Sequence, residues 1–479
     1  MKHLRASSLV VAAVGSVLVT MSSMYVALRM GALPWPTVFA ALFAMFILKP
    51  LRGSLHDINV AHTGVSAGGL VAGGLAFTIP AAWLVGKNIS FTEILISASI
   101  GALIGVWMTV STRKKYVEEL NLPFPMGIAA YDTIKAGDEG GKKAKILFTS
   151  MAVSALFTYL RDGLRVIPVV YKNFGMFPMA VGIGFLIGVI PTMSWLSGGI
   201  IQLIFNTPWM RDFGLGMMIG GGLAMAILGS SKGKITLQRT DLIVGAVGFA
   251  SFLAMGMSFI PSIVAAAFAV LVVHMAGVVD GTTGIDPMEV FAIIVISIVG
   301  FVYRLDITTA VMLSGVIAVS TGLAGDSLQD MKTGKLLGTN PKAQLISEAI
   351  GASVGVVTAT VLLYLIHSKY GSGAFGSYFP VPQAAAVSKF LGGGALTKAT
   401  IWGIVTAFVL QIIKLPALTF GIGLYLPLFI TLPVALGGAL RLLVDKTRPK
   451  NVEAWSVAAS GLLGGEGLVG IIIGLVKPL

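Results

Sequence analysis

The sequence predicts an all-α integral membrane protein, a polytopic helical bundle of about 14–16 transmembrane helices, from its composition, its apolar run lengths and the placement of its charges. Of 479 residues, 56% are hydrophobic and 11% charged. Soluble domains carry roughly a quarter charged residues, so a globule of this size could not solvate its surface. The apolar residues recur in runs of about 20, the length a helix needs to cross a hydrocarbon layer of about 30 Å. The net charge of +13 would suggest a nucleic-acid partner in a soluble protein, but here the Lys and Arg sit between the apolar runs. The clusters are residues 2–5, 113–115, 135–145, 232–239, 332–342 and 441–450, and the positive-inside rule puts all of them, with the N-terminus, on the cytoplasmic side of the cell membrane. Cysteine is absent, which removes disulfides, thiolate metal sites and a catalytic thiol.

The first apolar run follows basic residues as a signal peptide would, but it is too long and lacks a small-x-small cleavage site, so it reads as the first span. In order, the predicted spans are 7–30, 36–52, 65–86, 90–110, 146–166, 177–206 with a break at Pro191, 213–230, 240–258, 261–279, 288–303, 306–324, 344–366, 395–413, 417–440 and 454–476. Charge, Pro or Gly bounds each one. Several shorter apolar pieces suit re-entrant or broken helices. No connection is long enough for a soluble domain, so residues 1–479 form one transmembrane domain.

Gly182-Ile-Gly-Phe-Leu-Ile-Gly188, continuing to Gly198-Gly199, aligns without a gap with Gly421-Ile-Gly-Leu-Tyr-Leu-Pro427, continuing to Gly437-Gly438. Two weaker echoes keep the same order: Phe124-Pro125 with Phe379-Pro380, and Thr63-Gly64 with Thr321-Gly322. They suggest related halves, 1–240 and 241–479, a common plan for carriers with a site at the midplane. Most glycines, such as Gly68, Gly69, Gly73 and Gly74, suit close helix packing. Runs such as Gly392-Gly393-Gly394 also unwind helices, which at membrane depth is tolerated only beside protein or a watery cavity.

Ionisable residues within spans are the functional suspects, because a charge at bilayer depth costs several kcal/mol unless paired or hydrated. Glu466, inside Gly461-Leu-Leu-Gly-Gly-Glu-Gly, has no cation near it in sequence and reads as a protonatable carboxylate, or as an acid hydrogen-bonded to backbone. His62, between Asn59 and Thr63 at the entry to a Gly-rich span, could bind ligand or carry a proton, or simply cap the helix. Asp326 and Asp330 share a helix face with Gln329 and Lys332 nearby; a solvated helix end is the plain alternative. Asp280, Asp286 and Glu289 suggest a loop or a cation-attracting vestibule. Arg161, Asp162 and Arg165 either pair locally or meet anionic groups of a solute. Gly64-Val-Ser66-Ala-Gly68 has the Gly-x-Ser-x-Gly spacing but opens an apolar helix instead of following a strand, so no nucleophile elbow is expected. Asp132 with Asp326, followed by Pro416-Ala417-Leu418, resembles intramembrane aspartyl proteases, except that Ala324 replaces the first Gly of their Gly-x-Gly-Asp.

The segment Ala324-Gly-Asp-Ser-Leu-Gln-Asp-Met-Lys-Thr-Gly-Lys-Leu-Leu-Gly338 resembles the oligopeptide transporter superfamily, whose members include the yellow-stripe-like metal-chelate transporters. Supporting stretches are Asn59 with His62-Thr63, Leu122-Pro-Phe-Pro-Met-Gly127, Pro382-Gln383-Ala384, Gly423-Leu-Tyr-Leu-Pro427 and Ser460-Gly-Leu-Leu-Gly-Gly-Glu466. The resemblance implies secondary active, proton-coupled uptake of small peptides or metal chelates by about 16 helices in two related halves. It also implies no enzymatic activity, cofactor or bound metal. The Asn-Pro-Gly and Lys-Ile-Pro-Pro-Arg motifs of the eukaryotic peptide branch are missing, and His62 stands where prokaryotic relatives often have Gln. The expected substrate path is Asn59, His62, Thr63, Gln329 and Gln383, with Glu466, Asp326 and Asp330 as coupling or gating carboxylates. The expected partners are substrate, protons and lipid, without nucleic acid, and with a homodimer as a further option. A passive channel and the Asp132/Asp326 protease are the competing readings.

Overall fold

Two serines show how the apolar runs become helices: Ser54 and Ser90 each accept a hydrogen bond from the backbone N–H three residues on, at Asp57 and Glu93. In each capping box the Asp57 or Glu93 carboxylate accepts from the N–H of the cap residue, so N–H groups that a helix cannot pair internally are satisfied. In the computed structural model the described residues are 3–30, 36–139, 141–172, 174–228, 238–284, 286–391, 397–413 and 415–476. The first half of the chain forms α1 (Ala6–Met30), α2 (Pro36–Leu48), α3 (Leu55–Thr78), α4 (Pro80–Leu84), α5 (Phe91–Arg113), α6 (Pro125–Glu139), α7 (Gly141–Thr158), α8 (Pro178–Ile187), α9 (Val189–Phe205) and α10 (Pro208–Leu228). Then follow α11 (Arg239–Ala254), α12 (Phe259–Thr283), α13 (Met288–Val302), α14 (Ile307–Leu337), α15 (Pro341–Tyr370), α16 (Pro382–Ser388), α17 (Lys398–Ile412), α18 (Ala417–Tyr425), α19 (Leu428–Thr447) and α20 (Val452–Val476). The only strands among the described residues pair Val170–Tyr171 with Phe174–Gly175. Among the described residues, seven helices are long and apolar enough to cross a membrane, and shorter apolar helices lie between them. The chain is a multi-pass, all-α membrane protein.

Several sequence expectations shift. The helix expected over 65–86 begins at Leu55, and the one expected over 306–324 runs on to Leu337. His62, Asp326, Gln329, Asp330 and Lys332 therefore lie within buried helix instead of at span ends. Packing supplies what hydropathy lacks: every residue of α3 from Asp57 on is buried. The break expected at Pro191 falls at Gly188, whose φ of 90° suits only glycine, while Pro191 sits in the first turn of α9, where its missing N–H costs nothing. A second break, at Leu426 and Pro427, divides 417–440 into α18 and α19. Helices α6 and α16 were not expected. The Gly392–Gly394 run and the basic residues 232–237 lie outside the described residues.

Contacts that link one face of the bundle can be followed from residue to residue. Arg5, before α1, pairs with Asp57 at the start of α3 (3.1 Å). His56 meets Thr339, just past α14, at 3.2 Å. Lys335 near the end of α14 donates to the Val117 carbonyl beyond α5 at 2.8 Å. Ser111 near the end of α5 donates to Asp241 at the start of α11. Helix α12 enters from the opposite face, with Phe259 against Phe249 late in α11. It reaches Asp241 through His274 at 3.3 Å.

Glycines let the helices touch backbone to backbone, the packing that lipid favours. A Cβ on Gly351 would strike the Gly64 carbonyl, one on Gly184 the Val434 carbonyl, and one on Gly423 the Trp195 carbonyl. Because backbone cannot swing aside, Gly351→Ala must push α3 and α15 apart, at a cost of about 1–3 kcal/mol. A lowered thermal midpoint of the detergent-solubilised protein is expected; an unchanged midpoint would contradict so close an approach.

Candidate functional site

Helices α3 and α14 cross at the centre of the bundle in opposite directions, with Ser66 on Asp330 and Gly74 beside Val319. At 1.5 Å per residue, Asp326 and Asp330 lie about 16 and 10 Å from the C-terminal end of α14, so both are well inside the protein. Each is 1% exposed. His62 Nε2 is 3.1 Å from Asp330 Oδ1, and Ser66 Oγ donates to Asp330 Oδ2 at 2.8 Å. Asp326 accepts from Thr37 Oγ1 at 3.0 Å, which ties the first turn of α2 to α14.

The cluster extends on both sides. Gln344 on α15 donates to Thr63 Oγ1 at 3.1 Å and to the Asp330 carbonyl at 2.8 Å. Glu348, one turn further on and 1% exposed, accepts from Ser327. Gln329 uses both ends of its amide, accepting from Gly127 N at 2.8 Å and donating to the Asp280 carbonyl at 3.2 Å. Gly325 leaves a gap that carboxylates face: a Cβ there would stand 2.9 Å from Asp286 Oδ2 and 3.2 Å from Asp280 Oδ2. The acids Asp280, Asp286, Glu289, Asp326, Asp330 and Glu348 thus belong to one interior region, and the expected acidic loop is folded into it. Lys332 faces away, donating to Asn121 Oδ1 at 3.0 Å and the Leu122 carbonyl at 2.9 Å.

Asn59, His62, Thr63, Gln329, Asp326 and Asp330 all come to this region. Asn59 is fully buried, and neither atom of its amide has a hydrogen-bond partner among the described residues. Gln383 does not join them. It is half-buried on α16, which packs on α3, α4 and α13 and whose preceding residue Val381 donates to the Leu28 carbonyl at 3.1 Å. Glu466 also lies elsewhere, where α20 meets α7 and α8, and a distant cation is bound to it: Arg161 Nη1 is 2.8 Å from Glu466 Oε1. Its other oxygen accepts from Met179 N at 2.7 Å. The Arg161 guanidinium also holds Asp162 through two bonds, of 2.7 and 2.6 Å, and lies 4.8 Å from the Phe177 ring centre. The pairing of Arg161 with Asp162 matches the local reading of that cluster, and Glu466 completes it.

Sequence reasoning missed Thr37, Ser66, Ser327 and Glu348 as members of the central cluster. Glu348 carried the signal that exposed Glu466, an acid in an apolar run, but stood close to the expected start of its span. The chain Tyr116–His274–Asp241 was missed as well: Tyr116 Oη is 2.9 Å from His274 Nδ1, and His274 Nε2 is 3.3 Å from Asp241 Oδ2. It pins α11 between α5 and α12.

A buried polar and acidic centre, held by helices that cross in opposite directions within an apolar bundle, defines a multi-pass membrane transporter. The chain belongs to the OPT family: the family model described as "OPT oligopeptide transporter protein" matches residues 5–238 and 240–477. A protein of Haemophilus influenzae named "Putative oligopeptide transporter" is 24% identical, the match covering 95% of this chain and 92% of that one. A "Probable metal-nicotianamine transporter" of Oryza sativa subsp. japonica is 25% identical over 32% of this chain and 25% of its own length. The "Metal-nicotianamine transporter" of Arabidopsis thaliana is 26% identical over 32% of this chain and 26% of its own.

Proposed function

We propose that this transporter is a proton-coupled secondary carrier that imports small oligopeptides or metal chelates across the cell membrane, with its Arg5 face in the cytoplasm. The observation that carries the reading is the His62–Asp330 pair, buried where α3 and α14 cross and joined to Asp326 through the same helix. Carboxyl and imidazole groups at such depth can take up and release protons, and intramembrane ionisable residues mark ion and substrate pathways. Asp326 and Asp330 are the coupling pair, reached by solute alongside Asn59, Thr63 and Gln329; Gln383 would meet the solute on the other side of the centre. Glu466, clamped by Arg161 and Met179 N, serves as an anchor in this reading. An aspartyl-protease mechanism would need Asp326 free to face Asp132, whereas Asp326 is engaged by Thr37 on α2.

The test is a thermal-shift screen of the purified protein in detergent with di- to pentapeptides and with metal-loaded chelators. A ligand that binds only the native state at 100 times its Kd adds about 2.7 kcal/mol, so one of the two classes is expected to raise the midpoint clearly. Reconstituted vesicles should then accumulate that ligand only when a pH gradient is imposed. Accumulation that ignores the gradient would remove proton coupling, and flux that cannot concentrate the solute would favour a channel.

A further inference from the structure

We infer that the two halves of the chain are inverted repeats, and that the short helices α2 and α13 are the gates to opposite faces of the membrane. The inversion stands on packing alone, while the gate assignment rests on the transport reading.

Contacts between the halves come in exchanged pairs. Gly184 lies against the Val434 carbonyl and Gly423 against that of Trp195; Gly198 lies against Phe420 and Gly437 against Val181. Thr192 touches Gly438 as Thr431 touches Gly199. In each pair, the Gly182–Gly199 and Gly421–Gly438 alignment turns one contact into the other. The same exchange holds across the central helices, where Gly101 meets the Val316 carbonyl and Gly351 that of Gly64. It holds also at two unusual turns. Phe124 and Val381, both non-glycine residues with positive φ (48° and 38°), each precede a proline that opens a short helix. Phe124 N donates to the Gly281 carbonyl of the second half, and Val381 N to the Leu28 carbonyl of the first (2.8 and 3.1 Å). Val381-Pro382, not Phe379-Pro380, is therefore the counterpart of Phe124-Pro125.

Direction then decides between a parallel and an inverted relation. Equivalent helices that touch near a twofold axis run parallel if the axis follows the membrane normal, and antiparallel if it lies in the membrane plane. Three such pairs run antiparallel. For α3 with α14, Ser66 meets Asp330 and Gly74 meets Val319. For α9 with α19, Thr192 meets Gly438 and Gly199 meets Thr431. For α5 with α15, Phe91 at the start of one meets Tyr364 near the end of the other, with ring centroids 5.6 Å apart. Accordingly α1 starts on the Arg5 face and α12 on the opposite one, and α11 is the extra helix that carries the chain across between them.

Helices α2 and α13, about 20 and 22 Å long at 1.5 Å per residue, are set apart from the spanning helices by where they start. Each begins near the centre, α2 with Thr37 on Asp326 and α13 with Met288 beside Gly322. Helix α2 ends at the Arg5 face, where Arg5 reaches the Arg52 carbonyl at 3.5 Å; α13 ends beside Asp306, the cap of α14. Measured from the caps Ser54 and Asp306, Thr37 corresponds to Glu289, Gly74 to Asp326 and Thr78 to Asp330. The hydrogen bond that latches α2 to Asp326 thus has no twin on α13, because Gly74 offers no side chain to Glu289. The gate on the Arg5 face is latched by a hydrogen bond to Asp326, whereas α13 carries its own buried acid, Glu289, in the same interior region as Asp280 and Asp286 and with only Gly74 at the position of Asp326. Proton uptake by Asp326 loosens the α2 latch, and rocking of inverted halves carries the change to the other gate.

The natural absence of cysteine permits a direct test. Arg52→Cys and Arg304→Cys, placed at corresponding exposed positions in the full-length protein, are treated with an impermeant maleimide in right-side-out and in inside-out vesicles. Each is expected to react in one vesicle type only, and in opposite types; reaction of both from the same side would overturn the inversion whatever the protein transports. In a second arm, Thr37→Val is added to Ser66→Cys or to Thr78→Cys. Labelling of Ser66→Cys from the Arg52 side should rise several-fold and that of Thr78→Cys from the other side should fall several-fold. Unchanged or parallel responses would overturn the gate assignment, while uptake assays on the unmodified chain judge the transport reading separately.

Discussion

Asp330→Asn is expected to lower concentrative uptake about 10- to 150-fold and to abolish its response to an imposed pH gradient. Asp330 faces His62 at 3.1 Å and accepts from Ser66 at 2.8 Å. Hydrogen bonds to charged groups are worth about 1.5–3 kcal/mol, and each 1.36 kcal/mol is about tenfold in rate. Asparagine keeps the size of the side chain but cannot take up a proton, so the loss should fall on coupling more than on folding. The decisive comparison is between uptake driven by a pH gradient and exchange of labelled for unlabelled substrate across vesicles without one. Exchange should persist in the variant. Equal loss of both, with a normal thermal midpoint, would make Asp330 a substrate ligand; no loss of either would remove it from the mechanism.

Arg161→Met is expected to destabilise the protein by about 3–5 kcal/mol, the usual cost of removing one partner from a buried ion pair. The guanidinium, 2% exposed, joins Glu466, Asp162 and the Met176 carbonyl across three segments of chain. Without it Glu466 would retain only its bond from Met179 N. Adding Glu466→Gln to Arg161→Met should recover a large part of the loss, because the uncompensated charge disappears with its partner. Arg161→Lys should not substitute, since an ammonium lacks the planar fork that grips two carboxylates. Thermal unfolding in detergent of the single and double variants closes the cycle. Additive effects would mean that Arg161 and Glu466 do not act as a unit.

The helical membrane bundle was legible because run length and composition depend only on local sequence. Boundaries at polar stretches were not. Helix α14 continues through Gly325-Asp326-Ser327-Leu328-Gln329-Asp330 because α3, α6, α12 and α15 bury that stretch, and hydropathy cannot register such company. Helix α6 contains Asp132, Lys135, Asp138 and Glu139, so it reads as a loop although its start is held inside the protein by Gly281. Asp326, Asp330 and His62 could be singled out from the cost of burying charge, but their mutual approach depends on the crossing of two helices far apart in the chain. Glu466 shows the converse. Its isolation in sequence argued for a free acid, and Arg161, equally remote in sequence, supplies the missing charge. The Thr63-Gly64 echo of Thr321-Gly322 is out of register with the helix caps, since Ser54 and Asp306 align Gly64 with Val316. Glycine-rich helices offer many such coincidences.

The paired turns at Phe124 and Val381 bear on how the chain is made. Phe124 is anchored on Gly281, a residue that leaves the ribosome long after α6 has been synthesised. Until then α6, with its acids and Lys135, can pack on α2, α3 and α7 of its own half but lacks the carbonyl that receives Phe124 N. The N-terminal half therefore cannot complete its structure during its own translation. Each half supplies the carbonyl on which a turn of the other closes, so a chain halted before α12 would leave the turn before α6 without its acceptor.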